Sequence, residues 1–191
     1  MKNFARFENF VEAMTRLVES GGNEASLRFG GRRLLEALVT QDDWLPETFA
    51  QPDRHYYRQY LLHADPLERF SVVSFVWGPG QSTPLHDHTV WGLIGMLRGA
   101  EREERYECRE EGWPMCLLGE STLYPGKVSE VSPVIGDIHR VANVYRDQVS
   151  ISVHVYGGNI GRISRHVFDQ KTSTSKTFVS GYSNAIANDP Q

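Results

Sequence analysis

The sequence predicts a mainly β fold, an antiparallel sandwich or jelly-roll barrel with an α-helical N-terminal region. In the first third of the chain, apolar residues recur at helical spacing. From about residue 69 the chain becomes a series of short segments rich in β-branched and aromatic residues, separated by glycine, proline and asparagine. Strands at this spacing, with no helix between them, are typical of antiparallel β proteins.

Composition and charge indicate an ordinary globular protein. The chain has 191 residues, of which 40% are hydrophobic and 23% charged, as in folded rather than disordered proteins. The formal net charge of −4 gives no reason to expect a nucleic-acid partner. We expect no membrane span, because no apolar run approaches the roughly 18 residues that a span requires. We also expect no signal peptide, because MKNFARFENFVEAM lacks the uninterrupted apolar core of one. With only two cysteines, a cytoplasmic location is expected.

We expect a single domain over residues 1–191, with a helical part (1–55), a β-barrel (56–168) and a surface tail (169–191). FENFVEAMTRLVES predicts the first helix, which Gly21 and Gly22 end. LRFGGRRLLEALV and the segment from DDWLPETF onward predict one or two more. Strands are predicted on FSVVSFVW, TVWGLIGML, SEVSP, VANVY and SISVHVY. The alternating charges of RGAEREERYECREE are typical of a solvated hairpin.

Two histidines occupy alternate positions in PLHDHTVWGLIGMLRG, residues 84–99. In a strand, side chains alternate between faces, so His86 and His88 project to one side and Asp87 to the other. Two imidazoles at this spacing can converge on one metal. The pattern alone also fits a pair of hydrogen-bonded histidines inside a β protein.

The surroundings of these histidines resemble the two conserved motifs of the cupin superfamily, with GDIHRVAN as the second motif. The framing residues are Gly80, Gly99, Gly136 and Asn143. The resemblance implies a cupin (jelly-roll) β-barrel in which both motifs deliver metal ligands, here His86, His88 and His139. The glutamate that follows the histidine pair in the cupin pattern is absent, and WGL stands in that neighbourhood.

A set of three neutral nitrogens with open positions suits non-haem Fe(II), which binds a substrate and O₂ together. Without a carboxylate ligand the iron keeps its full 2+ charge, which favours an anionic thiolate substrate. Zn²⁺ also accepts three histidines and would support hydrolytic or hydratase chemistry. The ligand set alone leaves both metals open.

The segment SISVHVY, residues 150–156, has a polar and an apolar face. Ser150, Ser152, His154 and Tyr156 share one side of a strand, and the apolar residues share the other. If the apolar face packs against an outer sheet, the polar row lines the interior beside the metal. A Ser–His–Tyr row there would fix the orientation of the tyrosine hydroxyl and assist proton movement. The alternative is an amphipathic strand with its polar face in water.

Three spaced segments, WGPGQSTPLHDH, GDIHRVAN and SISVHVYGGN, together resemble the thiol dioxygenase family, which includes cysteine dioxygenase and 3-mercaptopropionate dioxygenase. The similarity is strongest between residues 56 and 168. It implies a cupin barrel, Fe(II) on three histidines, and O₂-dependent conversion of a small thiol to its sulfinate. By position, His86, His88 and His139 resemble the iron ligands, and Ser152, His154 and Tyr156 resemble the family's catalytic triad.

Two departures from the cysteine-specific members of that family bear on the substrate. Where those members carry a cysteine cross-linked to the tyrosine, this chain has Gly92, so we expect no thioether on Tyr156. Where they carry a carboxylate-binding arginine, spacing places Gln59, which resembles the subgroup that prefers 3-mercaptopropionate. In that subgroup an arginine after the triad strand binds the carboxylate, and position favours Arg165. The alternatives are Arg162 and Arg58.

We therefore expect an Fe(II)-dependent thiol dioxygenase acting on O₂ and a small thiol carboxylate, with 3-mercaptopropionate favoured over L-cysteine. Two other classes stay open: a Zn²⁺ or Mn²⁺ cupin with isomerase or hydrolase activity, and a non-catalytic cupin that binds small ligands. The Ser–His–Tyr row favours the first class, because neither rival requires it. No nucleic-acid or membrane partner is expected, and the oligomeric state is open.

Overall fold

The computed structural model describes residues 3–184 and contains two α-helices followed by eleven strands. The helices are α1 (Phe4–Glu19) and α2 (Glu24–Val39), with 3₁₀ helices at Glu47–Phe49 and Ile160–Arg162. The strands are β1 (Arg58–Ala64), β2 (Ser71–Trp77), β3 (Leu85–His86), β4 (Gly92–Arg98), β5 (Glu101–Glu107), β6 (Cys116–Leu123), β7 (Val128–Val131), β8 (Ile138–Asn143), β9 (Ser150–Tyr156), β10 (Arg165–Phe168) and β11 (Ser175–Phe178).

Both helices begin and end at local sequence signals. After the last helical residue of α1, Gly21 takes a φ of +70°, the left-handed conformation that glycine adopts most readily. Asn23 caps α2, because its side chain accepts a hydrogen bond from the Ser26 N–H at 3.0 Å. The two helices predicted from periodicity are confirmed, and the DDWLPETF segment forms a 3₁₀ turn.

The strands form two antiparallel sheets, in the orders β1-β2-β9-β4-β7 and β11-β10-β3-β8-β5-β6. Within residues 3–184 each strand belongs to one sheet, and the edge strands of one sheet do not pair with those of the other. The mainly β, jelly-roll fold with a helical N-terminal region is therefore confirmed. The expected closed barrel is corrected to two sheets facing each other.

The helices cover the outer face of the first sheet. Val72 on β2 and Val153 on β9 pack in one core cluster with Met14 of α1 and Leu35 of α2. The backbone approaches closely here, since a Cβ added at Gly95 would lie 2.8 Å from the Leu35 side chain. The apolar face of β9 is therefore buried by the amphipathic helices, not by a sheet.

The inner faces of the two sheets meet in a second cluster. Val73, Phe75 and Trp77 of β2 pack there with Tyr156 of β9 and with Val141 of β8, which belongs to the second sheet. The polar row of β9 lies on this inner face and is fully buried. The space between the sheets therefore combines an aromatic wall with buried polar groups.

The charged segment on β5 is not a wholly solvated hairpin. Glu101 and Glu103 are buried, with 2% and 6% of their surface exposed, whereas Arg102 between them is exposed. The expectation for these two acids is wrong because alternate residues of β5 face the space between the sheets. Alternating charge does not reveal which positions face inward when the inward residues are themselves acidic.

The C-terminal segment carries secondary structure. β11 pairs antiparallel with β10, from Arg165 opposite Phe178 to Phe168 opposite Ser175. The part of the expected surface tail beyond residue 184 lies outside the described residues. Neither helix in the described part of the chain has the length and apolar character needed to cross a membrane.

Candidate metal centre and active site

Three buried histidines converge on the inner face of the second sheet. His86 on β3 and His139 on β8 are direct register partners on neighbouring strands, and His88 follows two residues after His86. Each pair of imidazole centroids is separated by 4.8 Å, so the three rings form an equilateral triangle. Among residues 3–184, the possible metal ligands gathered here are these three imidazoles and no carboxylate. Asp87 faces away, with its carboxylate hydrogen-bonded to His166.

The outer nitrogen of each imidazole is held by a hydrogen-bond acceptor. The Nδ1 of His86 lies 3.1 Å from the Pro84 carbonyl oxygen. The Nδ1 atoms of His88 and His139 lie 3.0 Å and 2.7 Å from the carboxylates of Asp137 and Glu103. Since these oxygens accept, each Nδ1 carries the proton and each Nε2 presents its lone pair. The arrangement matches the requirement of a metal site for neutral imidazole donors.

The electrostatics favour the neutral form of His86 and His88. Burial lowers the pKa of His86 and His88 well below the usual range, and mutual repulsion of the three imidazoles lowers it further. Burial also raises the pKa of Asp137, against hydrogen bonds from the His88 and Thr89 N–H groups. Asp137 and Glu103 thus lie directly behind the possible ligands. They orient the imidazoles and do not belong to the ligand set themselves.

A hydrogen-bonded row on β9 lies beside the triangle. Ser152 Oγ is 2.8 Å from His154 Nε2, and His154 Nδ1 is 2.8 Å from the Tyr156 hydroxyl. The Tyr156 ring centroid is 5.4 Å from that of His88, which connects the row to the three histidines. Burial lowers the pKa of His154 well below its usual range and raises the pKa of Tyr156. Both groups are therefore neutral, and their protons are held in the row.

Aromatic side chains of β2 hold the row in place. Phe75 stacks on the His154 ring with centroids 4.1 Å apart. The Trp77 indole N–H donates to Ser152 Oγ at 3.2 Å. At the other end, a Cβ added to Gly92 would lie 3.0 Å from the Tyr156 ring.

Both cysteines are free, and Cys108 is exposed, with its thiol near backbone oxygens of Arg109 and Ser173.

Arg165 is a buried cation next to the same space. Its surface is 4% exposed, its Nη2 donates to Ser180 Oγ at 2.6 Å, and its guanidinium lies 4.6 Å from the Phe178 ring centroid. Its Nε is buried and makes no hydrogen bond within residues 3–184. Burial lowers the pKa of Arg165, and its charge in turn lowers the pKa of His88. A buried guanidinium with a donor to spare is suited to bind an anion.

The other sequence candidates for the carboxylate site occupy different positions. Gln59 on β1 is the register partner of Phe75, so its side chain projects from the same face of the sheet. Arg58 points to the opposite face and pairs with Asp53 at 2.5 Å. Arg162 pairs with Glu68 at 3.0 Å at the surface. Of the three arginines considered, the buried one is Arg165.

Comparison with known proteins identifies the family. The model of the cysteine dioxygenase type I family matches residues 34–171, well over half of the chain. The chain belongs to the cysteine dioxygenase type I family. The family expected from the three motifs is thereby confirmed.

Individual members of the cysteine dioxygenase family are distant relatives. Cysteine dioxygenase type 1 of Danio rerio is 27% identical over 155 residues, which cover 76% of this chain and 72% of that protein. The Rattus norvegicus enzyme is 28% identical over 131 residues, 65% of this chain and 61% of its own length. The chain thus spans about three fifths of the rat relative.

A solved structure is also similar in fold. It is that of an uncharacterized conserved protein with a double-stranded β-helix domain from Klebsiella pneumoniae, with a TM-score of 0.46 and 19% identity. The similarity covers 63% of this chain and 94% of that chain.

Several residues that complete the site in this family member were missed by sequence reasoning. Asp137 lies two positions before His139, a spacing that signals a shared strand face, whereas Glu103 has no local signal. The C-terminal segment was also missed. Ser183 exchanges hydrogen bonds with the Gln59 backbone at 2.8 and 2.9 Å, and Ser180 holds Arg165. Residues 180–184 thus contact the Arg165 side chain and the Gln59 backbone.

Proposed function

We propose that this chain is an Fe(II)-dependent thiol dioxygenase that adds both atoms of O₂ to the sulfur of a small thiol carboxylate, giving the sulfinate. Family membership supports the reaction class. The observation that carries the proposal is the triangle of three neutral imidazoles beside a buried Ser–His–Tyr row. In this proposal His86, His88 and His139 bind the iron, and Ser152, His154 and Tyr156 form the catalytic row.

The donor set fits a ferrous ion. The possible ligand atoms of the three rings lie within 4.8 Å of one another, and each ring is oriented by a hydrogen bond at Nδ1. When bound, Fe(II) on three protein ligands supplies open positions for a thiolate and O₂, and the redox chemistry that joins them. Because all three ligands are neutral, an anionic sulfur ligand is favoured electrostatically.

Arg165 is proposed to bind the substrate carboxylate. A guanidinium presents planar paired donors that match a carboxylate, and the buried setting strengthens the attraction. The unpartnered Nε of Arg165 and the single hydrogen bond from its Nη2 to Ser180 leave donors for this purpose. Gln59, on the inner face of β1, is proposed to assist.

Tyr156 is proposed to orient the reacting groups. Its hydroxyl is positioned by His154, and its ring lies beside that of His88. A neutral phenol with a raised pKa donates a hydrogen bond without losing its proton. Phe75 and Trp77 line the adjacent wall, which excludes water from the reacting groups.

We propose 3-mercaptopropionate as the preferred thiol and L-cysteine as the next. One buried guanidinium matches one carboxylate, and Gln59 stands where the resemblance places the carboxylate-binding arginine of the cysteine-specific members. Neither Phe75 nor Trp77 in the aromatic wall carries a negative charge that could pair with the amine of L-cysteine. Cysteamine has no carboxylate for Arg165 and ranks last.

Oxygen uptake by the iron-loaded protein tests the proposal with 3-mercaptopropionate, L-cysteine and cysteamine side by side. We expect two oxygen atoms per sulfinate formed and the highest kcat/KM for 3-mercaptopropionate. The matched control is His139→Ala, which removes one ligand and should abolish both iron retention and uptake. Purified protein that holds Zn²⁺ or Mn²⁺, and consumes no O₂ with any thiol after iron loading, would overturn the proposal.

A further inference from the structure

The Glu101 side chain is a buried carboxyl group that the proposed chemistry does not use. It projects from β5 into the space between the sheets, and 2% of its surface is exposed. Its Oε1 atom is buried and has no hydrogen-bond partner in the described part of the chain. A buried carboxyl with an unsatisfied oxygen costs stability, so its presence calls for a physical explanation.

Glu101 lies at the inner end of the Ser–His–Tyr row. Ser152 and Trp77 lie beside its carboxyl group, and both side chains lower its pKa against the effect of burial. These two side chains are also bonded to each other, since Trp77 Nε1–H donates to Ser152 Oγ. Glu101 therefore lies at the end of the row opposite to the Tyr156 hydroxyl.

The protons of this row can be arranged in two directions, because a neutral imidazole has one N–H and one lone pair. In the outward arrangement, Ser152 donates to His154 Nε2, and His154 Nδ1–H donates to the Tyr156 oxygen. The tyrosine proton then points to the pocket. In the inward arrangement, Tyr156 donates to Nδ1, and Nε2–H donates to Ser152, whose own proton needs another acceptor.

The state of Glu101 selects between these arrangements. An ionised carboxylate only accepts, so it takes the Ser152 proton and favours the inward arrangement. A protonated carboxyl donates to Ser152 and pushes the serine proton toward His154, which favours the outward arrangement. Trp77 cannot replace Glu101 in this role, because an indole N–H is a donor only.

We propose that Glu101 is a positioning residue for Tyr156, deciding through Ser152 and His154 whether the tyrosine hydroxyl donates to the pocket or to His154. The role rests on the proposed function only in that Tyr156 serves the thiol reaction. Nothing in the sequence motifs marks Glu101, which lies 51 residues before Ser152 in a charged segment.

Both forms of Glu101 are accessible near neutral pH. Burial raises the pKa of its carboxyl to about 7, against hydrogen bonds from Ser152 and Trp77. The titratable groups near it are Glu103 on its own strand and His139 on β8, which line the same small cavity, and Tyr156 on β9, whose pKa the charge of Glu101 raises. Glu103 is the acid among them whose charge raises the pKa of Glu101.

The imidazole ¹⁵N shifts of His154 test the proposal directly, because they distinguish Nδ1–H from Nε2–H. The sample is protein loaded with Zn²⁺ as a diamagnetic replacement for iron, measured from pH 5.5 to 8.5. We expect His154 to change from mainly Nδ1–H at the acid end of this range to mainly Nε2–H at the alkaline end. The isosteric Glu101→Gln variant should lose this change, whereas Glu107→Gln, an exposed acid on the same strand, should retain it.

A single His154 tautomer across this pH range in the unmodified protein would overturn the proposal, and this measurement needs no variant to fold. An unaltered tautomer change in Glu101→Gln would overturn it as well. Neither result depends on turnover, so failure here is distinguishable from failure of the dioxygenase proposal.

The kinetic counterpart uses the iron-loaded protein and 3-mercaptopropionate. We expect the pH profile of kcat/KM to contain an ionisation that Glu101→Gln lacks. In a Tyr156→Phe background, Glu101→Gln should change kcat/KM by less than about twofold, because both substitutions act through one hydroxyl. Full additivity of the two effects would show that Glu101 does not act through Tyr156.

Discussion

The three histidines show how a candidate metal site can be built from neutral donors while still using carboxylates. Asp137 and Glu103 bind the Nδ1 atoms of His88 and His139 rather than the centre itself. The hydrogen bonds from His139 and Ser129, together with the charge of Arg105, hold the pKa of Glu103 below its usual value despite burial. Glu103 therefore remains ionised, and both acids orient the rings through these hydrogen bonds.

Substitution of Arg165 tests the carboxylate site at the scale of one residue. We expect Arg165→Ala to raise KM for 3-mercaptopropionate by about 10²-fold, because charge-assisted hydrogen bonds contribute about 3 kcal/mol. Cysteamine oxidation should change far less, since that thiol has no carboxylate. Steady-state oxygen uptake measures both.

Arg162→Ala is the matched control for Arg165→Ala. Arg162 lies three residues away and pairs with Glu68 at the surface, so we expect KM to stay within about twofold of the unmodified protein. A large KM increase for Arg162→Ala combined with none for Arg165→Ala would move the carboxylate site to the surface arginine.

At the scale of elements, the turn between β1 and β2 connects two strands that contribute side chains to the inner face of the first sheet. The Asp65 carboxylate accepts hydrogen bonds from the N–H groups of Leu67 and Arg69 and from the Arg69 guanidinium at 2.7 and 2.8 Å. Glu68, which lies between Leu67 and Arg69, takes a φ of +55°. The carboxylate therefore compensates an unfavourable backbone conformation and closes the hairpin that carries Gln59 and Phe75.

The stability contribution of Asp65 depends on pH. The Arg69 hydrogen bonds lower the pKa of Asp65 to about 2, from an ordinary value of 3.8. Because the folded-state pKa is the lower one, the stabilisation is present above about pH 4 and is lost as pH falls toward 2. We expect Asp65→Ala to lower the free energy of unfolding by about 2 kcal/mol at pH 7 and much less at pH 2.5.

Urea denaturation at pH 7, 5, 3.5 and 2.5 measures this difference. Asp147→Ala, which removes an exposed carboxylate, is the control and should change stability by less than about 0.5 kcal/mol at each pH. A difference between Asp65→Ala and the unmodified protein that is the same at pH 7 and pH 2.5 would contradict the assignment.

At the scale of the whole molecule, the site joins the two sheets. The three histidines belong to or adjoin the second sheet, whereas the Ser–His–Tyr row belongs to the first. β10 and the segment 180–184 bring Arg165 to the same space and connect it to β1. A metal that binds only the folded arrangement therefore stabilises the entire two-sheet core.

Metal removal should lower the thermal stability of the protein. At a free metal concentration about 1,000 times Kd, binding contributes about 4 kcal/mol. For a domain of this size that corresponds to a decrease in Tm of roughly 8 to 16 °C on chelation. Scanning calorimetry with and without a chelator measures the change.

His139→Ala should remove the dependence of Tm on metal, while His55→Ala, an exposed histidine outside the site, should keep it. A Tm that is equal with and without Fe²⁺ in the unmodified protein would contradict a metal centre at the three histidines.

The sequence by itself determined the elements whose evidence is local. Helical periodicity located α1 and α2, and the alternation in SISVHVY predicted that Ser152, His154 and Tyr156 share one face. The spacing of His86 and His88 likewise predicted a common face. These predictions succeed because a residue's side-chain direction along one helix or strand follows from geometry within a few neighbours.

Only the tertiary structure decided which groups complete the site. Glu103 meets His139 across 36 residues, Ser183 meets Gln59 across 124, and Glu101 meets Ser152 across two sheets. Such contacts depend on strand order and register, which are set by non-local pairing and by the helices that bury the opposite face of the first sheet. The sequence neighbours of an acidic side chain in a charged segment therefore predict that it is solvated. Only its neighbours in the folded structure show that it is a buried hydrogen-bond partner.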